Sequence, residues 1–227
     1  MANSVKRGMV GTKPKRKVPI KWSADVAYAV GLLVTDGCLL NDGRHIDLTS
    51  IDTEQLENFK KCLGIETKIS YKTSGHSDNL YPRLQFSDVT LYKFLLSIGL
   101  TPAKTKTLTS IEIPKKYFFD FLRGHHDGDG TFYSYWDKRW RASFMFYTVF
   151  ISSSHKHILW LRDELDKVLK VKGHISHDKR KSTYALKYAK RESLKILRKM
   201  YYDKKVVCLS RKRLKIEDAL STVDEKL

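Results

Sequence analysis

Apolar positions along the chain fall into two matched series. In the first, Val26, Ala27, Val30, Leu33 and Val34 give apolar or small faces at helical spacing behind Ser23, a suitable N-cap, and the run stops at Gly37. An alternating stretch follows the turn Asn41-Asp42-Gly43, with Ile46, Leu48 and Ser50 marking a return strand. Leu56, Phe59 and Leu63 then share one face of a second helix that ends at Gly64. Asp52 stands at its N-cap and Gln55 three residues on, in capping-box spacing. Strands are predicted over residues 67–72 and 83–87, and a helix carrying Leu91, Phe94, Leu95 and Ile98 closes the series at Gly99. Residues 100–113 read as a connection.

The second series repeats this order. Pro114 suits the first turn of a helix, strands are predicted over 131–136 and 143–152 around a turn near residues 137–139, and a helix runs over 155–169. Strands over 174–177 and 184–189 and a helix with Leu194, Leu197 and Met200 complete it, and a basic helix over 211–220 is additional. The fold class is therefore α+β, as two pseudo-symmetric α-β-β-α-β-β-α halves. The expected division is a basic arm (1–19), a first half (20–100), a linker (101–113), a second half (114–205) and a basic C-terminal helix (206–227).

Both opening helices run into Asp-Gly. The first is Ala29-Val30-Gly31-Leu32-Leu33-Val34-Thr35-Asp36-Gly37, and the second is Leu122-Arg123-Gly124-His125-His126-Asp127-Gly128-Asp129-Gly130. Gly31 matches Gly124, and Asp36 matches Asp129. A repeated carboxylate can sit symmetrically about a pseudo-two-fold axis, and two acids so placed suit metal-assisted phosphodiester hydrolysis. Asp36 and Asp129 close helix C-termini, where the macrodipole disfavours negative charge, so a bound metal cation is expected to offset that cost there. Asp127 aligns with Val34 and is expected to be structural.

The two copies resemble the LAGLIDADG motif of homing endonucleases, in the single-chain form that carries it twice. The resemblance implies two saddle-shaped antiparallel sheets, with the motif helices packed together at the interface through Gly31 and Gly124. It further implies a meganuclease that recognises a long quasi-palindromic duplex and leaves short 3′ overhangs, often intron-encoded. Asp36 and Asp129 would be catalytic and would bind Mg2+ or Mn2+, with Ca2+ binding without supporting cleavage; carbonyls near Gly37 or Gly130 could join them. Aligning residues 83–87 with 185–189 makes Gln85 and Lys187 equivalent, and the resemblance makes Lys187 the expected transition-state stabiliser and Gln85 its asymmetric partner. At the start of the second helix of each half, where some family members carry a catalytic Gln or Lys, this chain has Ser50-Ile51 and Ser152-Ser153. The alternatives are an intron maturase that binds RNA and a cleavage-dead DNA-binding regulator, against which both retained acids argue.

Charge supports a nucleic-acid partner: 43 Lys and Arg against 25 Asp and Glu give +18, spread over both halves. Candidates for reading and holding double-stranded DNA are Arg44, Asp47, Thr49, Lys68, Ser70, Lys72, Arg83, Gln85, Tyr133, Tyr135, Lys138, Arg139, Arg141, His177 and Lys187. Cys38, Cys62 and Cys208 show neither zinc nor disulfide spacing. No apolar run approaches the ~20 residues that span a bilayer. The expectation is an intracellular monomer with no membrane association, placed in a prokaryotic cytoplasm or nucleoid or in an organelle matrix.

Overall fold

The computed structural model describes residue 18, residues 20–74 and residues 77–227. Most of the expected basic arm lies outside the described residues. Its described end, Val18, is buried and donates its N–H to Asp88 at 3.1 Å.

Two helices form the centre: α1 (Ala24–Thr35), capped by Ser23 whose hydroxyl accepts from the Val26 N–H, and, in the second half, the helix Phe118–Gly128. A helix surrounded on all sides by protein needs no polar face. α1 is accordingly buried continuously from Val26 to Val34. Around α1 lie β1 (Gly37–Leu39), β2 (His45–Thr49), α2 (Thr53–Leu63), β3 (Ser70–Ser74), β4 (Ser77–Ser87) and α3 (Val89–Ser97). The Phe118–Gly128 helix, α4, is followed by β5 (Thr131–Trp136), β6 (Phe144–Ser152), α5 (His155–Leu169), β7 (His174–Asp178), β8 (Thr183–Ala189), α6 (Lys190–Met200) and α7 (Ser210–Ser221). Among the described residues there are two four-stranded antiparallel sheets of the same topology, β1-β2-β4-β3 and β5-β6-β8-β7.

Alternation along the strands gives each sheet a core face and an open face. Ile46, Leu48, Leu84 and Phe86 bury one side of the first sheet, and Phe132, Phe146, Phe150, Leu186 and Tyr188 one side of the second. The sequence prediction placed these elements within a few residues. Differences lie in β4, which begins well before residue 83, and at Pro114, which precedes a 3-10 turn (Lys115–Tyr117) ahead of α4. The expected capping box of α2 does not form. The Asp52 side chain makes no cap bond and instead pairs with Arg211 of α7.

Candidate active site at the paired helix ends

Gly31 and Gly124 bring α1 and α4 into backbone contact. A Cβ on Gly31 would lie 2.3 Å from the Phe121 carbonyl oxygen, and one on Gly124 would lie 2.1 Å from that of Tyr28. Neither space admits a side chain. One turn onward, a Cβ on Gly128 would meet Thr35 Oγ1 at 1.9 Å and Asp36 Oδ2 at 2.9 Å, so the helix ends stay close and their closing acids share one cleft.

Asp36 is half-buried and Asp129 exposed. Burial raises the Asp36 carboxyl to about 6; the neighbouring Asp129 charge pushes the same way, and a hydrogen bond from Gln55 opposes it. Enclosure by the cleft also raises Asp129, against the charges of Lys104 and Lys212. Gln55 is buried on α2 and donates Nε2–H to Asp36 Oδ2 at 2.5 Å. By position after the N-cap its counterpart in α5 is His157, whose ring instead bonds the Thr109 carbonyl through Nδ1 at 2.7 Å and stacks on His125. The two acids therefore differ: among the described residues no side chain hydrogen-bonds Asp129.

Two lysines that the sequence did not point to reach the helix ends. Lys104, from the connection after α3, is buried and donates to the Gly37 carbonyl at 2.5 Å and the Thr35 carbonyl at 3.5 Å. Lys212, from α7, is buried and donates to the carbonyls of His126 (2.6 Å), Asp127 (2.8 Å), Gly128 (3.3 Å) and Gly130 (2.7 Å). Those of Thr35, His126, Asp127 and Gly128 would otherwise be orphans of a helix C-terminus, and those of Gly37 and Gly130 lie just beyond it. Burial lowers both ammonium groups, Lys212 to about 8, while the acids pull them back up. The Gly37 and Gly130 carbonyls, which could have joined the acids as metal ligands, accept from Lys104 and Lys212.

Lys187 and Gln85 do occupy equivalent register positions: Gln85 pairs with Asp47 and that with Cys38, and Lys187 pairs with Val149 and that with Thr131. Neither hydrogen-bonds an acid, and the cationic charge acting on Asp36 and Asp129 comes from Lys104 and Lys212. Asp127, as expected, is structural. It is fully buried, burial raises it to about 6, and it accepts from Tyr28 Oη and the Leu209 N–H, both at 2.8 Å.

The candidate DNA contacts divide by face. Asp47 lies on the open face of the first sheet, accepts from Thr49 Oγ1 at 2.9 Å, and pairs with Lys72 at 3.3 Å and Arg83 at 3.4 Å. Ser70 pairs with Arg83 in register and shares that face with Gln85. Lys68 is exposed just ahead of β3, and Arg44 is exposed beside Asp42 at the β1–β2 turn. On the second sheet Tyr133 and Tyr135 share the open face with Tyr147, which sequence reading missed, their rings nearly parallel and 5.1–6.4 Å apart. Lys138, Arg139 and Arg141 are exposed in the β5–β6 loop. His177 is misassigned. It stacks at 4.3 Å on Tyr184, which lies on the helix-side face and also stacks on His155. His174, paired with Lys187, is the open-face histidine.

No family model matches the chain, and no curated protein sequence does. Solved structures do. The meganuclease I-SmaMI bound to uncleavable DNA aligns with a TM-score of 0.57 at 15% identity, over 89% of this chain and 93% of that one. I-DmoI in complex with DNA and Mn aligns with a TM-score of 0.51 at 16% identity, over 79% and 97%. The chain has the LAGLIDADG fold. Full-length DUF199/WhiA from Thermatoga maritima shares it at a TM-score of 0.56 and 13% identity; the match covers 92% of this chain and 64% of that protein. In LAGLIDADG terms, α1 and α4 are the motif helices, with Asp36 and Asp129 at their ends. No helix among the described residues is long and apolar enough to cross a membrane.

Proposed function

We propose that the chain is a divalent-metal-dependent, site-specific endonuclease of double-stranded DNA. One observation carries the reading: two close-packed helices end in carboxylates that share a cleft and are each held up by burial, Asp36 also by the charge of Asp129, with a buried lysine behind each helix end. Acids whose charge is incompletely offset fit a divalent cation, and with the Gly37 and Gly130 carbonyls engaged, Asp36 and Asp129 are the residues that would hold it. A bound Mg2+ or Mn2+ supplies a polarised phosphate and an activated water. The chain's own residues prepare the rest. Gln55 fixes the Asp36 carboxylate, while Lys104 and Lys212 lock the helix ends and place positive charge beside the scissile phosphates. The open sheet faces, with Lys72 and Arg83 on one side and Tyr133, Tyr135 and Lys187 on the other, would lie along the duplex and supply base and phosphate contacts.

The finer reading is a monomer acting inside the cell on a long quasi-palindromic site and leaving short 3′ overhangs, as an intron-encoded homing endonuclease does. Duplexes selected for binding from a randomised pool provide the test. The wild-type chain should cut them with Mg2+ or Mn2+ and bind without cutting in Ca2+; Asp36→Asn and Asp129→Asn should bind and not cut. Tight binding with no metal-dependent cleavage by the wild type would overturn the nuclease reading in favour of a DNA-binding regulator, and unchanged cleavage by both variants would remove the assigned acids.

A further inference from the structure

The turn that carries the chain from β2 into α2 touches Asp36 at both of its ends. Thr49, at the end of β2, donates its N–H to the Asp36 carbonyl at 3.5 Å, and Gln55, in the first turn of α2, holds the Asp36 carboxylate. Between them the Ser50 N–H donates to the Pro82 carbonyl at 3.2 Å and the Asp52 N–H to Ser50 Oγ at 3.1 Å, while the Asp52 carboxylate pairs with Arg211. Ile51 sits on this braced turn at 78% exposure, the highest of any large hydrophobic residue among those described, and takes no part in the core. The second half builds the same turn ahead of α5, where the Ser154 N–H donates to Ser152 Oγ at 3.1 Å. Half-buried Ser153 holds the place of Ile51 there.

Water is a poor neighbour for a branched alkyl side chain, and the free protein gains no packing by leaving one beside its acid cleft. An isoleucine can neither bring charge to a phosphate nor order an attacking water, so a polar role at Asp36 is closed to it. It can press on the apolar, stacked part of a duplex. Apolar side chains that wedge against a base step from the minor groove partly unstack it. The cost of doing so depends on the step, because TA and CA steps open readily and A-tracts are stiff. The braced turn keeps the side chain from retreating, so the cost falls on the DNA. Serine at the matched position is shorter and polar, and exerts no such pressure.

We propose that Ile51 is a specificity-determining residue, a wedge against the base step beside the phosphate that Asp36 serves, so that cutting demands a readily opened step on that side of the centre and not on the Ser153 side. The proposal rests on the endonuclease reading above. The probe is a selected duplex whose base pairs on both sides of the centre are randomised, cut with Mg2+, the cut and uncut fractions being sequenced. On one side the wild type should cut TA and CA steps about tenfold faster than AA, and on the other side it should discriminate little. Ile51→Ser, which removes nothing from the core, should melt with the wild type and flatten the preference to less than about twofold. Ser153→Ile should impose a second preference on the opposite side. In Ca2+, 2-aminopurine placed at the preferred step should brighten as the wild type binds and unstacks it, and should stay dim with Ile51→Ser. A step preference or a brightening that survives Ile51→Ser, or no new preference in Ser153→Ile, would overturn the proposal while leaving the endonuclease reading standing. Failure of the wild type to cut any duplex would overturn both.

Discussion

Asp36→Asn should make the protein more stable while removing cleavage. The Asp36 carboxyl stands at about 6 in the folded chain against an ordinary 3.8, because burial, and then the charge of Asp129, disfavour the ionised form. An acid raised on folding costs nothing where both states are protonated. Its penalty develops as pH rises through 3.8 to 6 and is complete above that window. At about 1.4 kcal/mol per pH unit, this difference corresponds to about 3 kcal/mol, and the side chain's partial exposure to cleft water reduces the expected gain to about 1–2 kcal/mol. Asparagine keeps an oxygen that can accept from Gln55, so the substitution removes the charge and preserves the bond. For a chain of this size the gain is a rise in melting temperature of about 2–8 °C at pH 7.5 that vanishes near pH 4. Thermal melts of wild type and variant across that range, without metal, are the assay. Equal stability at pH 7.5, or a difference independent of pH, would refute the account of Asp36 as a site whose charge is kept at a cost. Added Mg2+ should narrow the gap by stabilising only the wild type.

Three further outcomes follow from the same geometry. Gly124→Ala must push α1 and α4 apart, because the obstacle is the Tyr28 backbone; a loss of about 3 kcal/mol in urea unfolding is expected, together with loss of cleavage. Lys212→Met leaves four carbonyls at the end of α4 without their shared donor, so it should cost about 2 kcal/mol of stability and slow cleavage about a hundredfold in quench-flow measurements. Burial holds His157 at about 4 and His126 at about 3 against an ordinary 6.5, so stability present above pH 6.5 is lost as pH falls toward 4. His157→Asn keeps a donor for Thr109 and should flatten that acid limb in pH-dependent melts.

Locally encoded features were readable from the sequence. Asp36 and Asp129 close repeated helices, Gly31 and Gly124 recur at one position in them, and the element order follows from periodicity and turn residues. Lys104, Lys212 and Gln55 were not, because each acts across a long stretch of chain. Lys104 sits in a Thr-, Pro- and Lys-rich connection that resembles any linker, and Lys212 is one of several cations in a basic helix. One signal was present: α1 ends in an acid with no basic residue in its last turn, so its carbonyls needed a cation from elsewhere. Gln55 has capping-box spacing, and only the pairing of Asp52 with Arg211 shows why the box is not made. His177 was misplaced because strand parity depends on where β7 starts relative to β8, which a one-residue change in register reverses.

Each half sends the chain that follows its last helix back to the end of its own motif helix: Lys104 after α3 returns to α1, and Lys212 after α6 returns to α4. The transplantable module therefore does not stop at the last helix. A chimera that joins the first half to a foreign second half has to break the chain beyond Lys104, and a symmetric enzyme built from two copies of the second half has to carry α7 with each copy. A graft cut at residue 100 or 205 would keep every strand of its sheet and lose the lysine that holds the end of its motif helix, and under the proposed function it would bind its duplex without cutting it.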